Sequence, residues 1–362
     1  MPGMRALADL QCEICQHDYF GDLPAGQAVY TPMLLSKDTG EVHDVHGVDW
    51  FADWLHDSYA NRREDDVRLE ILKHRQIAHD VIALNCLDVM YGHSLLKLLN
   101  AQYHLDHFPE VSLVVIVPHW LAWLVPDGVA ETWIVHLQLR RGTEWNDALG
   151  LKLKDLISDF SNARLSSAHS HPRPSEYAIE RFTRIMPFDL NTWDAALTSP
   201  TITFVWRADR QWGENQHYSV LRLAEKLRSN CGALTFVIAG IGSRGLAFPS
   251  WITDLRAEKV DEGLERSWCQ SYARSHLVIG VHGSNMLLPS GHAGGVIELI
   301  GSDRWGNFPQ DILFRDIGDS RELLFRYRFI PETSTPDDVA ALADLIMRKR
   351  RAYLELMNVS MP

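Results

Sequence analysis

The chain of 362 residues is poor in cysteine, has no excess of positive charge and contains no long apolar run. Its five cysteines, Cys12, Cys15, Cys86, Cys231 and Cys269, form an odd, scattered set that excludes a disulfide framework as its organising principle. The formal net charge of −12 argues against a nucleic-acid partner. The one tight basic run, Arg348-Lys349-Arg350-Arg351, reads as a solvated helix end suited to the helix dipole. No stretch approaches the roughly 18 uninterrupted apolar residues that a transmembrane segment needs. The first residues lack the apolar core of a secretory signal, so a cytoplasmic protein is expected. Internal repeats and low-complexity tracts are also missing. The length instead suggests two domains with a small appendage.

Residues 1–50 read as that appendage, a turn-rich element holding Cys12-Glu13-Ile14-Cys15 and His43-Asp44-Val45-His46. Trp50, Phe51, Trp54 and Leu55 then share one helical face, the pattern of a core stripe. The charged run 62–68 reads as a solvated helix face. From residue 80 apolar runs alternate with helical periodicity: strands at 81–85, 112–118 and 132–139, helices at 93–104 and 146–160. A second series follows, with strands at 201–207, 233–240, 276–283 and 295–300 and helices at 218–229 and 263–274. β-Branched strands separated by crossover helices predict an α/β fold with parallel sheets. The proline-bearing stretch 173–200 is the natural hinge. The domains expected are 1–50, 51–195, 196–335 and a C-terminal helix 336–362, which Thr335 caps and Pro336 opens. Two such sheets facing each other across a hinge would form a cleft, with ligands beyond the carboxyl ends of the strands.

The most specific segment is 276–300, HLVIGVHGSNMLLPSGHAGGVIELI. A strand ends in His282-Gly283-Ser284-Asn285, a short helix follows, and a second strand carries Glu298. Gly283 permits close approach of a ligand to the backbone. Ser284 and Asn285 are good N-caps, and amides at a helix start suit a diphosphate. Glu298 could reach a ribose or sugar hydroxyl. Two other stretches complete the pattern: Tyr91-Gly92-His93-Ser94-Leu95-Leu96 before an apolar helix, and Phe204-Val205-Trp206-Arg207-Ala208-Asp209-Arg210 at a strand end. In order and spacing the three resemble the motifs of glycosyltransferase family 61, spread over residues 80–300. The resemblance implies a GT-B-like enzyme of two facing Rossmann-like domains. Such an enzyme takes a nucleotide-sugar donor in the second domain and an undetermined hydroxyl acceptor in the first.

Within that frame, Arg207 and Arg210 offer planar donor forks for a departing diphosphate. His282, Gly283, Ser284, Asn285 and Glu298 complete the donor site. His93 is the candidate base for an inverting transfer, with Asp88 as the carboxylate competitor. No Asp-x-Asp follows an apolar strand, so catalysis without a metal cofactor is expected. Cys12, Cys15, His43 and His46 have the spacing of a structural Cys₂His₂ zinc site; the alternative is two unrelated pairs. Two other functions remain open at this level: a sugar-nucleotide epimerase or hydrolase of the same architecture, and a non-catalytic nucleotide-sugar-binding protein.

Overall fold

A computed structural model describes residues 6–23, 33–44, 47, 49–77, 80–88, 90–136, 145–166, 177–307, 312–315 and 319–357. The chain divides into two units, Met1–Pro172 and Arg173–Pro362.

The first unit opens with strands β1 (Ala6–Gln11), β2 (Asp18–Leu23), β3 (Met33–Ser36) and β4 (Val42–Asp44), paired in sequence order as an antiparallel sheet. Met33 and Leu35 are buried while Leu34 between them is exposed, the alternation of a strand with one covered face. Helix α1 (Asp49–Ala60) covers that face with Phe51 and Leu55, and Trp145 closes the cluster. The unit continues with β5 (Leu69–Lys73), β6 (Asp80–Asn85), α2 (Tyr91–His107), β7 (Ser112–Pro118), β8 (Glu131–Val135), α3 (Asp147–Ser158) and β9 (Asn162–Leu165). These strands form a second sheet in the order β5-β8-β7-β6-β9, parallel except for β5. All seven residues of β7 are buried, which is why its run is continuously apolar.

The second unit contains α4 (Glu180–Thr183), α5 (Trp193–Ala196), β10 (Thr201–Arg207), α6 (Gln216–Cys231), β11 (Thr235–Ile241), β12 (Ile252–Ala257) and α7 (Glu262–Arg274). It then runs through β13 (Leu277–Val281), α8 (Leu287–His292), β14 (Gly295–Ile300), α9 (Ser320–Arg326), β15 (Tyr327–Pro331) and α10 (Pro336–Leu356). Its six strands are all parallel, in the order β12-β11-β10-β13-β14-β15. That is the doubly wound order in which the direction of winding reverses between the first and fourth strands. As expected, Thr335 caps α10 through its hydroxyl, which accepts from the Asp338 amide, and Pro336 sits in the first turn. The expected α/β class, two Rossmann-like units built on parallel sheets, is therefore the observed one.

Several local readings differ. Within the element read as turn-rich, residues 18–23 form the strand β2. Trp50 and Trp54 are 49% and 39% exposed, so only half of the aromatic stripe is core. Residues 62–68 are not helical; Arg63 bridges to Asn146, and its amide donates to the Trp145 carbonyl. The strand expected at 132–139 is β8, shorter, and 137–139 lie outside the described residues. In the proline-bearing stretch, the described part from 177 onward is packed into the second unit. Trp193 is fully buried with Nε1 donating to the Met347 carbonyl at 2.9 Å, and the Phe188 amide donates to the His292 carbonyl. The division thus falls at 172/173, before the expected boundary at 195/196. Arg350, in the basic run read as solvated, is buried: its Nε donates to Glu322, which also accepts from Arg326.

Candidate functional site

The reversal of winding in the second unit lies between β10 and β13, and there the sequence places its most distinctive residues. Val205 pairs with Gly280. Arg207 and His282 each stand two residues further on, level with one another at the carboxyl ends of adjacent strands. Arg207 Nη1 donates to the His282 carbonyl at 3.3 Å and to Asn285 Oδ1 at 3.1 Å. Arg210 Nη1 donates to the same carbonyl at 2.8 Å. Arg207, Arg210, His282 and Asn285, expected to act together, are thus in direct contact.

Gly283 is what allows this. Its φ of 146° is a conformation that side-chain-bearing residues avoid. A Cβ there would overlap Arg207 Nη1 and crowd Asn285 Oδ1. The expected role of Ser284 and Asn285 as caps is not observed. A single 3₁₀ turn, Ser284–Met286, follows Gly283, and α8 has only six residues; neither start has a side-chain cap. Asn285 spends its amide oxygen on Arg207 instead. So short a helix contributes little dipole, and the positive character of this strand edge comes from arginine rather than from helix-start amides.

Glu298 also departs from expectation. It is fully buried in β14, and its Oε1 meets His282 Nδ1 at 3.1 Å. The carboxylate therefore orients the imidazole, itself only 3% exposed, and does not reach a sugar. With Glu298 accepting, His282 carries its proton on Nδ1. The imidazole braces the strand end whose carbonyl holds both arginines.

The charge around this edge is uneven. Asp209 grips the Nε/Nη2 side of Arg207 with both oxygens, at 3.0 and 2.6 Å. That hydrogen-bonded guanidinium outweighs partial burial and holds the Asp209 carboxyl below its ordinary value. Arg304, just beyond β14, pairs with Asp303 at 3.1 Å. Arg210 has no carboxylate within ion-pair distance among the described residues. Burial, then the charges of Arg207 and Arg304, lower its pKa. Among the described residues, three arginines and two aspartates thus leave one cation uncompensated at a strand edge of an acidic protein.

In the first unit, β6 ends at Asn85 and α2 begins at Tyr91, and the intervening turn presents Asp88 and His93. Asp88 is fully buried. Its Oδ1 accepts from the Met90 amide at 3.0 Å and from His93 Nδ1 at 3.3 Å, while Oδ2 accepts from Lys97 Nζ at 3.2 Å. Burial pushes the Asp88 carboxyl up, but the His93 hydrogen bond and the Lys97 charge together hold it below its usual value. An ionised carboxylate with no exposed surface orients His93; it does not itself meet an acceptor. The His93 side chain is 25% exposed, and Nε2 is left as the acceptor nitrogen.

No protein-family model and no curated protein matches the chain. Among solved structures the chain is similar to heptosyltransferases. E. coli ADP-heptose LPS heptosyltransferase II is 13% identical, over 75% of this chain and 99% of that one, with a TM-score of 0.45. E. coli heptosyltransferase WaaC with ADP is 13% identical over 76% and 98%, with a TM-score of 0.40. A UDP-N-acetylglucosamine 2-epimerase-like protein of Listeria monocytogenes is 10% identical over 78% and 70%, with a TM-score of 0.36. At these values the likeness decides neither donor nor reaction.

The Cys12–Cys15 pair lies on the tight turn between β1 and β2. The Cys12 amide donates to the His17 carbonyl, the Gln16 amide donates to the Cys12 carbonyl, and Gln16 takes a left-handed φ of 60°. The backbone amides of Cys15 and Ile14 aimed at its sulfur hold the Cys12 thiol below its usual value. His43 lies on β4 with its ring 6.0 Å from that of Tyr19; His46 lies outside the described residues. Among the described residues no group of three or more His, Cys, Asp or Glu side chains is placed to hold a metal. The described part of the four-residue zinc set is therefore not assembled.

Two residues of these clusters escaped sequence reasoning. Arg304 follows a glycine just past a strand end, a placement that could have flagged it. Lys97 sits inside the apolar helical run 95–99, where a lysine on the buried face was the available signal.

Proposed function

We propose that the chain is a nucleotide-sugar-dependent, inverting glycosyltransferase, a distant relative of family 61, whose second unit holds the donor diphosphate. The observation that carries this reading is Arg210. It is an arginine without a carboxylate partner among the described residues, flanked by Arg207 and Arg304, at the winding reversal of a doubly wound sheet. Such a position is where ligands of these sheets bind, and an uncompensated, self-repelling cation cluster there calls for an anion. The planar forks match phosphate oxygens. In an inverting transfer a base takes the proton of the acceptor hydroxyl, whose oxygen attacks the anomeric carbon; His93 Nε2 is the first unit's candidate for that base. The bond from that carbon to the diphosphate breaks, and its electron pair leaves with the nucleoside diphosphate. The arginines stabilise the charge that develops there.

The test is incubation with ADP-, UDP-, GDP- and dTDP-sugars, with and without a panel of sugar and polyol acceptors. Nucleoside diphosphate released only when an acceptor is present supports the transferase. Isomerised nucleotide sugar without acceptor would make the protein an epimerase, and no turnover with measurable binding would make it a binding protein. His93→Ala is expected to slow transfer by about a hundredfold or more, the ordinary share of a general base.

A further inference from the structure

Lys97 is a buried cation for which the proposed reaction has so far no use. It lies in the second turn of α2 with its side chain 2% exposed. Its ammonium donates to the Leu87 carbonyl at 2.8 Å and to Asp88 Oδ2 at 3.2 Å. Lysine is among the residues least often fully buried, and a buried ion pair gains little over an apolar pair of the same volume. Stability alone is therefore a weak reason for this one.

Its placement supplies a better reason. Asp88 has two oxygens, and Lys97 takes one. The other is thereby turned toward the Met90 amide and His93 Nδ1. The Ser94 hydroxyl, donating to the Asp88 carbonyl at 3.4 Å, ties down the backbone of the same turn. A carboxylate fixed in this way dictates that the proton of neutral His93 resides on Nδ1 and the lone pair on Nε2, the nitrogen a base must use. Without Lys97 the Oδ2 oxygen loses its partner, and the orientation of the carboxylate that selects the histidine tautomer rests on the Met90 amide alone.

We propose that Lys97 is a positioning residue: through Asp88 it locks His93 in the Nδ1–H tautomer. This rests on the reading of His93 as the base, but its first test does not need the reaction. Nitrogen-15 NMR of the imidazole distinguishes the two tautomers in the intact chain. In the native protein the neutral imidazole is expected to carry its proton on Nδ1; a native Nε2–H tautomer would overturn the proposal outright. Lys97→Met is expected to give a mixed tautomer and to lower kcat at least tenfold while KM for the donor changes less than twofold. Lys97→Arg, which keeps a cation for Asp88, is expected to retain the tautomer. A folded Lys97→Met protein with the native tautomer and native kcat would make the lysine merely structural. Should that variant not fold, Lys97→Gln is read by the same spectrum, and a fully native tautomer there counts against the proposal. If the tautomer responds as stated but His93→Ala transfers sugar at the native rate, the positioning stands and the base reading falls.

Discussion

Replacing Gly283 by alanine separates the architecture of the strand edge from its chemistry. The residue holds φ at 146°, a conformation costly to any residue with a Cβ, and strain of this kind is worth about 1–3 kcal/mol. The added methyl group would also occupy the position of Arg207 Nη1, so the guanidinium must leave the His282 carbonyl and Asn285 Oδ1. A charge-assisted hydrogen bond to a ligand contributes about 1.5–3 kcal/mol. Losing one such contact should weaken diphosphate binding by about 10- to 150-fold. Denaturant unfolding measures the first effect, and titration calorimetry with pyrophosphate and nucleoside diphosphates measures the second. A Gly283→Ala protein that is destabilised but binds diphosphate with native affinity would exclude Arg207 from the diphosphate site, because it would then have been moved without consequence.

Further outcomes follow from the same geometry. Asp209 occupies the fork of Arg207 with a side chain that is 72% exposed, so Asp209→Asn should tighten pyrophosphate binding by up to about fivefold, the range of an exposed ion pair, as measured by calorimetry at fixed ionic strength. Burial pushes the pKa of His292 from 6.5 to about 4, so the unfolded chain takes up the proton first. Stability from this group is complete above about pH 6.5 and is lost as pH falls toward 4. The loss is about 2–3 kcal/mol by pH 4.5; His292→Gln, measured by denaturation across that range, should lack this slope. Glu322 lies fully buried between Arg326 and Arg350, and Glu322→Gln, which leaves two guanidiniums without a counter-charge, should cost about 3–5 kcal/mol in urea unfolding.

The parts of the fold legible in the sequence are those in which burial on both faces writes a continuous apolar run. β7, β10, β13 and β14 are of this kind, and so the order of the second series and its best motif could be read. Edge strands were not legible. β12 reads ITDLRA, and its arginine is buried only because Asp254 grips it and Trp206 and Phe248 lie beneath it. β5, β9 and β15 are likewise short and covered unevenly. At the site, residue types located the arginines and the glycine. They could not tell that Asn285 holds an arginine instead of capping a helix, or that Glu298 faces His282 instead of solvent. Those distinctions depend on strand register and on depth within the sheet, which one-dimensional spacing does not carry. The same holds for Asp88 and Lys97: both lie in a stretch whose periodicity was plain, but their meeting depends on how the turn before α2 folds back.

The proposed diphosphate site at the winding reversal of the second unit depends on Arg210. Titration calorimetry of the native chain and of Arg210→Gln against ADP, UDP, GDP and dTDP tests it most directly. The native chain is expected to bind at least one nucleoside diphosphate saturably, with binding weakened about tenfold or more in Arg210→Gln and no change in unfolding midpoint beyond that of a surface substitution. Binding that is indifferent to Arg210, or a native chain that binds none of the four, would contradict it.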